Sequence, residues 1–127
     1  MAILDIKVYG NPVLREKCKP VEAITPELVA LAHDMLETMY DAGGVGLAAP
    51  QVGKDVRLVV IDPARPDESE TPAPRIIFNP IWGSEPNSEN VPYDEGCLSV
   101  PDVFCNVYRP GKIWIRYTDE NGQTVEE

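Results

Sequence analysis

Histidine is nearly missing from these 127 residues, with His33 standing alone. A metal site that needs several imidazoles would run short of ligands here. Long apolar runs are also missing. The longest is the five residues Leu28–Ala32, against about eighteen or more for a membrane-spanning helix, so no such helix is expected. Basic residues are few, eleven against twenty-one acidic ones, for a net charge of −10. A surface of that sign repels a polyanion, which argues against direct contact with nucleic acid. The three cysteines, Cys18, Cys97 and Cys105, cannot all pair within the chain and form no C-x-x-C knuckle. The first ten residues carry Asp5 and Lys7 and no apolar signal core, so the expected address is the cytoplasm.

The apolar and charged fractions, 43% and 25%, are those of a globular chain, and the length fits one domain over residues 1–127. Residues 10–13, Gly-Asn-Pro-Val, read as a turn inside an N-terminal arm anchored by Leu14 and Val21. Thr25 as N-cap, Pro26 at the first helical position and an apolar stripe through Leu28, Leu31, Ala32, Met35, Leu36 and Met39 predict a helix over 26–41. It should stop at Gly43-Gly44. The β-branched run 56–61 and residues 75–82 read as core strands. Prolines place 63–74 and 84–92 in loops. Residues 112–117 alternate as a strand, Glu120–Gln123 is a hairpin turn, and 123–127 begins the returning strand. The whole reads as one α+β unit of mostly antiparallel sheets packed around helices, truncated at its C-terminus inside that last strand.

Two segments could carry chemistry. Gly43-Gly44-Val45-Gly46-Leu47-Ala48-Ala49-Pro50-Gln51 lets a backbone approach another group closely, although a glycine cluster after a helix is ordinarily a cap and turn. It lacks the lysine and hydroxyl of a phosphate loop. Glu95-Gly96-Cys97-Leu98-Ser99 holds a cysteine in a short extended stretch, where a lone thiol is ordinarily a small buried hydrophobe. His33 lies off the helix's apolar stripe and reads as solvated, so nothing brings it to Cys97 as a catalytic base.

Taken together and in order, Gly44-Val45-Gly46-Leu47-Ala48-Ala49-Pro50-Gln51 and Glu95-Gly96-Cys97-Leu98-Ser99 resemble the first two signature motifs of the peptide deformylases. The likeness runs along the whole chain, from Gly10-Asn11-Pro12-Val13-Leu14-Arg15 to the final hairpin. It implies metal-dependent hydrolysis of the formyl group from the N-terminal formyl-methionine of new bacterial or organellar proteins. The implied metal is Fe(II), with Zn, Ni or Co possible. By the same resemblance Cys97 is the metal-binding thiolate, and Gln51 with the Leu98 N–H steadies the oxyanion. Gly46 and Val45 pair with the formyl-methionyl peptide as an added strand, with Gly44 beside them. Tyr93 and Val45 line the methionine pocket. A side chain at Gly46 would stand where the peptide lies, and Glu95 pairs with Arg109 to brace the cysteine loop.

The family's third motif, H-E-x-x-H on a helix, supplies two histidine ligands and the general base. No histidine follows His33. The expectation is therefore weak metal binding and no turnover by this chain alone, with the apolar face under the missing helix laid open. Two other readings remain open: a non-catalytic formyl-peptide binding module or decayed paralogue, and a split enzyme in which a second chain supplies H-E-x-x-H.

Overall fold

The first long element, α1 (Pro26–Asp41), forms where the apolar spacing predicts it. Thr25 caps it by accepting the Leu28 N–H, and Pro26 occupies a first-turn position where no N–H is needed. Its end is a Schellman motif. Gly43 turns left-handed at φ 72°, its N–H reaches the Tyr40 carbonyl, and the Gly44 N–H reaches that of Met39. The chain then reverses directly into the first glycine-rich motif. One face of α1 buries Ala32, Met35, Leu36 and Met39. Truncating either methionine to alanine would remove about 2–5 kcal/mol at such fully packed positions.

The computed structural model describes residues 3–8, 10–15, 17–62, 73–84, 90–110 and 113–127, with side chains left undescribed at 84, 90–96 and 100–110. Among the described residues seven strands succeed one another: β1 (Gly46–Ala48), β2 (Leu58–Ile61), β3 (Arg75–Ser84), β4 (Asn90–Cys97), β5 (Val100–Pro110), β6 (Ile113–Thr118) and β7 (Thr124–Glu126). Five form one sheet in the order β1-β2-β3-β6-β7, and β4-β5 form a two-stranded ribbon. All these strand pairs are antiparallel. No helix is long and apolar enough to cross a membrane among the described residues.

Alternation along β2 sets the two faces of the larger sheet. Leu58 and Val60, with Leu47, Ile76 and Phe78, pack against α1 and form the core. Ile77, paired with Val59, faces the other way, as do Tyr117, Ile115 and Ile113 on β6. Trp82, opposite Ile115, joins them. Ile77 and Tyr117 are buried, whereas Trp82 is 62% and Ile113 48% exposed. The sheet is therefore apolar on both faces, and α1 covers one of them.

Three expectations from the sequence change. Strand β3 runs two residues past 82, with a register shift between Phe78 and Ile81. At its start Asn79 takes a left-handed φ of 51°, and its amide bonds both the N–H and the carbonyl of Val21, holding the N-terminal arm. The segment 84–92, expected as loop, contains the start of β4, where Pro92 pairs with Tyr108. A two-stranded ribbon leaves one side of each strand unpaired, so proline costs no ladder bond there. Finally, β2 begins at Leu58 rather than at Val56, which instead makes an isolated parallel bridge to Lys19. The C-terminal hairpin forms as expected, with Asp119 Oδ1 accepting the N–H groups of Asn121 and Gln123.

Candidate active site

Strand β1 lies at the edge of the five-stranded sheet. Its register with β2 is Gly46↔Ile61 and Leu47↔Val60, and the Asp62 N–H donates to the Val45 carbonyl at 2.9 Å. Hydrogen bonding alternates along an antiparallel pair, so Val45 and Leu47 face β2 while Gly46 and Ala48 turn their main-chain groups to the open edge. The Ala48 N–H confirms this, because its partner is the Gln51 side chain on that edge. Val45, 69% exposed, projects into solvent beside it. A Cβ on Gly46 would meet Ile61 at 3.5 Å, an ordinary contact. The chain's own packing therefore gives no reason for glycine there.

After β1 a 3-10 turn, Ala49–Val52, carries Gln51. The N-terminal arm fastens this turn through the Lys7 N–H, which donates to the Gln51 carbonyl at 2.6 Å. The Gln51 side chain points back. Its Oε1 accepts the Ala48 N–H at 2.9 Å, while Nε2 lies 3.1 Å from Ser99 Oγ and 3.4 Å from Cys97 Sγ. Residues 46 and 48 positions apart in sequence thus meet in one cluster. The thiol is exposed, against the ordinary expectation for a lone cysteine.

Leu98, between them, packs against the core and against Gly44. A Cβ at Gly44 would come within 2.8 Å of Leu98 Cδ1, so a larger residue there would have to displace the Leu98 side chain or part the two motifs. Behind the edge, Tyr40 at the end of α1 donates its hydroxyl to Asp62 Oδ2 at 2.5 Å, and the Ala73 N–H donates to Asp62 Oδ1 at 3.1 Å. Asp62 is 5% exposed. Its carboxylate ties the end of α1, the end of β2 and the approach to β3 together beside Val45. Partial burial first, then this hydrogen bond and the carboxylate's charge, push the Tyr40 phenol up to about 12.

The side chains of Tyr93, Glu95 and Arg109 lie outside those described. The backbone register sets Glu95 opposite Cys105 and Arg109 opposite Val91, rather than opposite one another. His33 is exposed on α1. Sequence reasoning placed Ser99 in the second motif without giving it a role, and missed Asp62 and Tyr40 as members of this neighbourhood. Their partners are 48 and 22 residues away, beyond the reach of any local pattern.

An exposed thiol beside an amide donor suits one thiolate ligand to a divalent metal. A catalytic metal centre uses about three protein ligands. Among the described residues no group of three His, Cys, Asp or Glu side chains could hold one. These residues therefore offer part of a donor set and do not by themselves fit a bound metal.

The family model described as polypeptide deformylase matches residues 3–127. A peptide deformylase of Hyphomonas neptunium is 50% identical over 128 residues, covering 100% of this chain and 71% of that protein. One from Caulobacter vibrioides is 52% identical over 132 residues, covering 100% and 74%. Among solved structures, the Thermotoga maritima peptide deformylase superposes with a TM-score of 0.89 at 38% identity, covering 100% of this chain and 81% of that one. The Ehrlichia chaffeensis enzyme in complex with actinonin superposes at 0.90 with 34% identity, covering 99% and 74%. The chain belongs to the polypeptide deformylase family.

Proposed function

We propose that this chain serves the removal of the formyl group from N-terminal formyl-methionyl peptides, in the cytoplasm, and that it supplies the peptide-binding edge, the oxyanion donor and one metal ligand of that reaction. The observation that carries the reading is the approach of Gln51 Nε2 to Cys97 Sγ at 3.4 Å, beside the open edge of β1. A peptide laid along β1 would bond Gly46 as an added strand, with Val45 against its first side chain. As the formyl carbon becomes tetrahedral, its oxygen gains charge. Gln51 Nε2 and the Leu98 N–H can donate to that oxygen without changing their own charge.

The reading requires two imidazole ligands and a general base from residues outside these 127, held as H-E-x-x-H by a helix in the same polypeptide or by a second chain. The exposed apolar face of Trp82 and Ile113 supports a covering element of that kind. A polypeptide of these 127 residues alone is then inactive. The test is deformylation of a formyl-Met peptide with added Fe(II) or Ni(II), with and without a polypeptide bearing H-E-x-x-H. Intact mass spectrometry first establishes which molecule is in the tube. No turnover alone and turnover on complementation is expected, and turnover by the 127 residues alone would overturn this assignment of roles. The second reading, a formyl-peptide binding module, would show as binding without turnover even after complementation.

A further inference from the structure

The Gln51 amide has one acceptor and two N–H donors, and its surroundings decide which way round it sits. The Ala48 main-chain nitrogen can only donate, so the atom 2.9 Å from it is the carbonyl oxygen. Nε2 is thereby turned toward β4 and its turn, with one N–H for Cys97 Sγ and one for Ser99 Oγ. Sulfur is a weak acceptor, and 3.4 Å is a long bond. The 3.1 Å bond to Ser99 is the firmer of the two. Ser99 is 3% exposed, so no water competes freely for its hydroxyl.

We infer that Ser99 is a positioning residue: the Ala48 N–H selects which way round the Gln51 amide sits, and the buried Ser99 hydroxyl, as its second partner, holds it in the one torsional well that caps the β1 edge and faces Nε2 toward Cys97. The terminal torsion of glutamine is broad and roughly two-fold, so the side chain needs partners on both sides to stay in one well. Turning the amide over would set NH2 against the Ala48 N–H and carbonyl oxygen against the thiol. Ser99 also separates the two donors. One N–H stays on its hydroxyl while the other leaves the sulfur for a developing oxyanion, and the amide need not rotate. The value of this for catalysis rests on the deformylase reading, whereas the positioning itself does not.

The experiment is amide hydrogen exchange by NMR on the 127-residue protein. The Ala48 N–H, on the open edge, depends on Gln51 Oε1 for protection, and the Leu47 N–H, turned toward β2, serves as the internal reference. Ser99→Ala should speed Ala48 exchange roughly tenfold with Leu47 unchanged, the scale of one lost hydrogen bond. Ser99→Thr, which keeps the hydroxyl, should return it toward wild type. Gln51→Ala should give the same acceleration, and adding Ser99→Ala to it should add nothing. An unchanged Ala48 rate in Ser99→Ala, or equal acceleration at Leu47, would overturn the inference. Failure of the deformylase reading would appear in a different place, as the absence of any formyl-Met-peptide-induced shift of the Gln51 Nε2 resonances in the wild-type protein.

Discussion

Gly44 and Leu98 pack so closely that a single added carbon on the glycine would lie 2.8 Å from Leu98 Cδ1 and 3.3 Å from its Cγ. Gly44→Ala should therefore cost about 1–3 kcal/mol, the usual penalty for overpacking. Because the strain is against one side chain, the same substitution in a Leu98→Ala background should cost markedly less. Urea midpoints of the four proteins in the cycle measure this, and simple additivity would show that the contact does not govern the approach of the two motifs.

The Tyr40–Asp62 pair gives a pH dependence. The Tyr40 phenol is raised from 10.0 to about 12 in the folded protein. Below pH 10 both states are protonated, and its stabilisation is fully present. Between about 10 and 12 the unfolded chain loses the proton first, so stability falls as pH rises. Tyr40→Phe should flatten that alkaline fall while lowering stability at neutral pH. Tyr117, raised by burial and then by the charge of Glu127, leaves a residual slope in the variant. Chemical denaturation across about pH 8–12 would display both effects, and an unchanged slope in Tyr40→Phe would count against the assignment.

Asn79 combines a left-handed backbone with two side-chain bonds to Val21. Asn79→Gly relieves the backbone but loses both bonds, about 1–3 kcal/mol together. Asn79→Ala should be worse by roughly 1 kcal/mol, since alanine resists that conformation. Equal midpoints for the two variants would mean that the turn relaxes once the amide is gone.

Metal dependence should be local. With no three-ligand cluster among the described residues, a chelator should leave the unfolding midpoint of the 127-residue protein unchanged. Co(II) should produce a weak thiolate absorption band that disappears in Cys97→Ala. Loss of stability on chelation would reveal a ligand set that these residues do not explain.

How much of the molecule is legible in its sequence depends on the range of the interactions. Helix α1 was legible because its cap, proline and stripe lie within its own sixteen residues and the turn on either side. The Asp119 hairpin was legible for the same reason. The β4-β5 ribbon was not, because the prolines of 84–92 read as loop and 100–110 offered no local signal, and only pairing shows that a strand with a free side can hold Pro92. Gln51 and Cys97 were joined by resemblance to a family, not by spacing, and the structure supplies the contact. Asp62 follows the run 56–61 and carries no signal of its own in the sequence. That it gathers Tyr40 and Ala73 is a property of the folded chain.

The Gln51 cap on Ala48 limits how much of a guest chain the β1 edge can grip. Only Gly46 turns both its N–H and its carbonyl outward along the strand before the amide closes the edge at Ala48. A guest strand therefore gains its main-chain bonds over about one residue and then runs into the capping side chain. If the deformylase reading holds, an edge this short would grip a peptide through few main-chain bonds, leaving the rest of the guest chain unread and its release easy.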